Sequence, residues 1–163
     1  MDNTRFYSFV AGLYLSPLQC GLQTAHAVSE VYDYHSLYHG SEYMQIYNEW
    51  ASTDKTIIIL NALNSRGVLN AHATLLEFAK EFRLPLAIFH EDADSLNGAA
   101  TACGMVIPRM FYDVKFTKVE EVGKSYFEHI SMFKEDGTAL IIKYSEDSSY
   151  YRFCAFLKTF RLV

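Results

Sequence analysis

Cysteine, proline and glycine are all scarce, with 3 Cys, 3 Pro and 8 Gly among 163 residues. Cys20, Cys103 and Cys154 are odd in number, far apart and without a C-x-x-C spacing, so neither a disulfide framework nor a zinc knuckle is expected, and a reducing cytoplasm fits best. Low Pro and Gly, with 20% charged and 15% aromatic residues, excludes the disordered and low-complexity classes. No apolar run approaches the roughly 20 residues that span a bilayer. The greasiest stretch, Thr56 to Leu63, is broken by Asn61. Met1-Asp2-Asn3-Thr4-Arg5 lacks the basic region and cleavage site of a secretory signal, so none is expected there.

Bases are short as well. Residues 1 to 108 hold 5 Lys/Arg against 11 Asp/Glu, a net of −6, whereas residues 109 to 163 hold 9 against 8, a net of +1. Binding a phosphate backbone requires clustered cations that release its counterions, so nucleic acid, tRNA included, is disfavoured as a partner of the first part.

What is present is a large apolar fraction, 50% of the chain, enough for one cored unit with an appendage. Phe6 to Leu15 is a dense apolar run of strand length. From Gln19, residues Leu22, Ala25, Val28, Val31 and Tyr32 recur at helical spacing, fading near Tyr38-His39-Gly40. Ser41 reads as the N-cap of a second helix through Tyr43, Ile46, Tyr47 and Trp50. Lys55 to Leu60, rich in β-branched residues, predicts a central strand covered on both faces. A helix over Asn70 to Phe82 is punctuated by Pro85, and strands Leu86 to Phe89 and Ala102 to Ile107 flank an acidic loop, Glu91 to Gly98. This alternation predicts an α/β fold: a mixed sheet of about four strands with helices on both faces over residues 1–108, and a C-terminal α+β extension over 109–163 packed on the same domain. In the extension Asp113 to Val122 and Thr138 to Tyr144 read as strands and Tyr150 to Phe160 as a closing helix.

The segment Leu15-Ser16-Pro17-Leu18-Gln19-Cys20-Gly21-Leu22-Gln23-Thr24-Ala25-His26-Ala27 resembles the start of the first helix in the archaeal and eukaryotic, or type 2, peptidyl-tRNA hydrolases. Trp50 before a strand opened by Lys55, a helix ending in Leu84-Pro85, and an acidic loop before a strand closed by Pro108 follow the family's order, so the likeness covers about residues 6–108. The resemblance implies the mixed sheet, frequent dimers, no cofactor, and a site at Gln19, Gln23, His26 and Asp92. Gln23, His26 and Ala27 match the family pattern residue by residue, but its central lysine falls on Gln19 and its other lysine on Pro17. Of its Asp-Ala-Gly-x-Thr-Gln loop only Asp92 and Ala93 are kept in Asp92-Ala93-Asp94-Ser95-Leu96-Asn97.

Cleaving the ester between a peptide and a tRNA ribose needs an activated water and a donor for the developing oxyanion, and a fixed ammonium supplies the donor and attracts the RNA. Gln19 carries no charge. Losing one such stabiliser costs on the order of 3 kcal/mol, about a hundredfold in rate. The expected function is therefore that of a hydrolase-like scaffold with a degraded site that binds a protein partner or a small nucleotide-like ligand, as a homo-oligomer. Its small acidic form with an appended tail suits a viral protein that engages a host factor. An active peptidyl-tRNA hydrolase is the alternative.

Other patterns have bland readings beside their chemical ones. His26 oriented by Asp92 makes a general base; a helix histidine holding a hydrogen bond is the plainer account. His72-Ala73-Thr74-Leu75 and His129-Ile130-Ser131-Met132 match the paired His-x-(Ser/Thr)-x motif of 2H phosphoesterases, which would act on a cyclic nucleotide, but require both histidines on strands. His35 and His39 stand at metal-pair spacing without a third ligand, and Glu91, Asp92 and Asp94 could gather Mg²⁺ or simply form a solvated loop. The tyrosines Tyr32, Tyr34, Tyr38, Tyr43, Tyr47, Tyr150 and Tyr151, with Phe153, are numerous enough to line an interface or to pack a core.

Overall fold

The computed structural model describes residues 3–13, 15–37, 42–121 and 123–163. The chain divides into two units, Met1–Arg109 together with Phe160–Val163, and Met110–Thr159.

In the first unit the order is β1 (Thr4–Val10), α1 (Pro17–Ser36), α2 (Glu42–Ser52), β2 (Ile57–Asn61), α3 (Ser65–Phe82), β3 (Leu86–His90), α4 (Ala93–Leu96) and β4 (Ala100–Pro108). The fold is α/β, as the alternation predicts. β1 pairs parallel with β2 and antiparallel with β4, which in turn pairs antiparallel with β3. The sheet has five strands rather than four, in the order β3-β4-β1-β2-β8, because β8 (Arg161–Leu162) pairs antiparallel with β2.

The first strand is shorter than its apolar run. Beyond Val10 the Gly12 N–H turns back onto the Val10 carbonyl at 2.8 Å, a three-residue turn that ends the ladder. Ser16 then caps α1, its Oγ accepting from Gln19 N while the Gln19 side chain accepts from Ser16 N, and Pro17 occupies the first turn, where its missing N–H costs nothing. The Ser41 cap lies outside the described residues. α3 starts earlier than the apolar period suggests, because Asn64 accepts from Gly67 N at 3.0 Å and so begins the helix at Ser65. β2 was expected to be covered on both faces, yet only Leu60 of it is buried.

Side-chain alternation assigns the helices to two faces. On one, Phe6, Val10, Ala102 and Val106 cluster with Cys20, Ala27 and Val31 of α1 and Tyr47 and Trp50 of α2. Trp50 closes this core by donating its indole N–H to the Thr56 carbonyl at 2.9 Å. On the other face Cys103 lies against α3, its Sγ 3.9 Å from the Val68 carbonyl. The three cysteines are buried, unpaired thiols.

The second unit holds α5 (Arg109–Tyr112, whose first residue belongs to the first unit), an antiparallel sheet β5-β6-β7 (Thr117–Glu121, Lys124–Phe133, Ala139–Tyr144) and α6 (Ser149–Leu157). β6 was not anticipated. Exposed Ile130, Met132 and Phe133 interrupt the alternation that marks a half-buried strand, and the pairing register shifts between Ile130 and Met132. Most aromatic residues of this unit are packing: Phe153 is fully buried, and Tyr151 stacks on Phe127 with ring centroids 3.8 Å apart. No described helix is long and apolar enough to cross a membrane.

Candidate functional site

β1, β2 and β3 run in the same direction, so their carboxyl ends share one edge of the sheet, the edge at which open α/β folds place their ligands. The β1–α1 connection and the segment after β3 both arise there. They bring together α1, Glu91 and the first residues of β4.

Gln23 is the centre of what they form. It sits in the second turn of α1, only 9% exposed. Its Nε2 donates to Glu91 Oε1 at 2.6 Å, and its Oε1 accepts from Thr101 Oγ1 at 2.8 Å. Thr101 reaches α1 because the pairing of β3 with β4 slips between Phe89 and His90: Phe89 faces Ala102, His90 faces Ala100, and Thr101 is left over. Such a bulge re-aims a side chain that strict alternation would send to the other face. The next residue, Thr24, donates from Oγ1 to Ser8 Oγ at 2.9 Å, a second buried polar link between α1 and the sheet. Every polar atom of the Gln23 amide plane that faces inward has a partner, as a buried amide requires.

The other expected site residues are placed differently. His26, one turn after Gln23, is exposed and lies flat on Phe89, with centroids 4.4 Å apart and 8° between the planes. Gln19 is exposed and engaged with Ser16 in the capping box. Asp92 is the exposed N-cap residue of α4 and makes no side-chain cap bond; its backbone carbonyl accepts from Ser95 N at 3.0 Å. The acid joined to α1 is thus Glu91, one residue before the one expected, and the structure couples Gln23 with Glu91 and Thr101 rather than Gln19, Gln23, His26 and Asp92 in one polar cluster. Thr101 carried no sequence signal, because a bulge depends on pairing between strands. Glu91 was visible only as one member of an acidic run.

This arrangement makes a checkable distinction between Gln23, inside the cluster, and Asp92, outside it. Gln23→Leu leaves the buried Thr101 hydroxyl and the Glu91 carboxylate without their partner and is expected to cost about 1–3 kcal/mol of stability. Asp92→Ala, on an exposed loop, should stay within about 0.5 kcal/mol. Urea unfolding midpoints compare them, and equal losses would contradict the wiring described above.

The remaining candidates do not assemble into sites. His72 lies in α3, not on a strand, and burial together with the nearby His90 holds its pKa below the usual histidine value. His129 is on β6, packed among Phe116, Tyr144 and Tyr150, and burial lowers its pKa too. The strand-borne histidine pair of a 2H phosphoesterase is therefore not formed. His35 is buried, with Nε2 3.2 Å from both the N–H and the carbonyl of Leu86, and serves one of them according to its tautomer; His39 lies outside the described residues. Among the described residues no three of His, Cys, Asp and Glu are grouped as metal ligands.

No family model matches the chain, and no curated protein matches it.

Proposed function

We propose that this chain is a divergent type 2 peptidyl-tRNA hydrolase scaffold whose hydrolytic site is closed and which acts by binding, foremost a protein partner. One observation carries the reading: the amides that stand in the site are already engaged inside the protein. Gln19 caps its own helix, and Gln23 is held between Glu91 and Thr101. An oxyanion developing on a substrate would find the uncharged Gln19 where the resemblance implies an ammonium, and the Glu91 carboxylate beside Gln23 repels it and the RNA phosphates alike. The mixed β3-β4-β1-β2 sheet with helices on both faces, and Gln23 and His26 on one helix, support the kinship.

A protein fits the exposed surface better than a nucleotide does. Leu18 and Leu22 are 76% and 53% exposed and stand four residues apart in line with His26, so α1 presents an apolar stripe that ends on an exposed imidazole flat against Phe89. A second copy of the chain is one partner that would cover it, in keeping with the expected homo-oligomer.

The experiment is release of peptide from peptidyl-tRNA by the full chain and by His26→Ala. Both are expected to remain at the uncatalysed background. His26-dependent turnover well above background would establish the working hydrolase instead.

A further inference from the structure

At the opposite end of α1, away from Gln23, the sheet edge leaves a cavity. Among the described residues no strand lies beyond β3, and the helices of the two faces flank its first residue, Leu86, without filling the space between them. The resulting cavity measures about 350 Å³, within the roughly 300–1,000 Å³ of small-molecule pockets. Ala79, Leu84 and Leu86 are buried and make its apolar part. One wall is aromatic: His35 and Tyr43 are stacked, with centroids 4.9 Å apart and 15° between planes. Tyr34, edge-on to His35, adds another ring. Leu76 and Lys80 are exposed members of the lining, both on α3.

The chemistry of these groups selects the ligand. A polar molecule would lose water against the leucines without gaining hydrogen bonds, which is costly. His35 compensates little, because its Nε2 is occupied by the Leu86 backbone and only Nδ1 is left. The polar groups left among the described lining residues are the tyrosine hydroxyls, His35 Nδ1 and the Lys80 ammonium. Among the described residues no carboxylate belongs to the lining, and Lys80 makes no ion pair. The nearby Glu42 carboxylate is held by Arg83, its oxygens 2.8 and 2.7 Å from the guanidinium. A cavity with an apolar depth, a flat aromatic wall and, among the described residues, one uncommitted cation is complementary to a planar apolar body that carries a single negative charge.

We propose that this cavity is a binding site for an aromatic monocarboxylate, its ring against the His35–Tyr43 wall and its carboxylate on Lys80. The site is independent of the Gln23 cluster and of the binding function proposed for it.

Isothermal titration of the full chain with 1-naphthylacetate, its neutral amide and adenosine 5′-monophosphate tests this. Saturable binding of the acid is expected, about tenfold tighter than that of the amide. Lys80→Met should bring the acid down to the affinity of the amide and leave the amide unchanged, and Leu76→Trp should abolish binding of both by filling the mouth. Both substitutions are at exposed positions, and the comparison of acid with amide needs no variant. No saturable binding of the acid at millimolar concentration, equal affinity for acid and amide, indifference to Leu76→Trp, or tighter binding of the nucleotide at this site would each overturn the proposal.

Discussion

Gly67→Ala is expected to cost about 3 kcal/mol or more of stability, the far end of what overpacking does. A Cβ at residue 67 would stand 1.7 Å from the Ala62 carbonyl oxygen and 2.9 Å from its carbon, both backbone atoms that cannot swing aside. The closeness follows from how β2 turns into α3. Asn61 Oδ1 accepts from Leu63 N at 2.7 Å, the Asn64 N–H bonds the Ala62 carbonyl at 2.9 Å, and Leu63 takes a positive φ of 70°, strained for a branched residue. These bonds fold Ala62 over the first turn of α3, where Gly67 also donates to the Asn64 cap. Only a residue without a side chain leaves room. Gly21→Ala is the internal control, since nothing lies within 4 Å of the added atom on an exposed helix face. There the change should stabilise by about 0.5–1 kcal/mol, because alanine loses less backbone freedom. Urea unfolding of both variants reads opposite signs; a Gly67→Ala midpoint near that of the parent would mean that the turn is looser than described.

The same turn marks where the sequence could and could not be read. Elements whose apolar residues are consumed by one core were legible: β1, α1, β3 and β4 come from runs and periods that burial enforces. Boundaries set by hydrogen bonds were less so. The Asn64 cap moves the start of α3 five residues ahead of the expected Asn70, and the Gly12 turn cuts the first strand before Leu15. In the second unit the strand over Thr138 to Tyr144 was legible and β6 was not, since β6 exposes Ile130, Met132 and Phe133 and so lacks the alternation of a one-sided sheet. At the site, the helical spacing of Gln23 and His26 placed both on α1, but not what each would meet. Thr101 comes to Gln23 through a register slip, and the choice of Glu91 over Asp92 depends on where β3 ends, at His90. Sequence spacing carries neither quantity.

Gln23 meets Glu91 and Thr101 at hydrogen-bond distance only if α1 lies close enough to the sheet, and that height is set by Phe6, Ala27 and Gly104. Phe6 is fully buried, with its ring 5.2 Å from that of Trp50. A Cβ on Gly104 would lie 2.2 and 2.6 Å from two Phe6 ring carbons and 3.3 Å from the Cβ of Ala27, four residues after Gln23 on α1. Phe6→Ala is expected to cost about 3–5 kcal/mol by opening a cavity that the surrounding sheet and helices cannot collapse into. Gly104→Ala should cost about 1–3 kcal/mol by overpacking, although alanine would otherwise be the better residue inside a strand. The two effects share one space. With the ring removed, the added methyl stands in the vacated volume, so the double variant should be at least about 1 kcal/mol more stable than the sum of the single losses predicts. Additive losses would mean that Phe6 does not define the floor on which α1 rests. The single Gly104→Ala variant should also lift Ala27 and with it Gln23, so that a further Gln23→Leu change costs less in that background than in the parent.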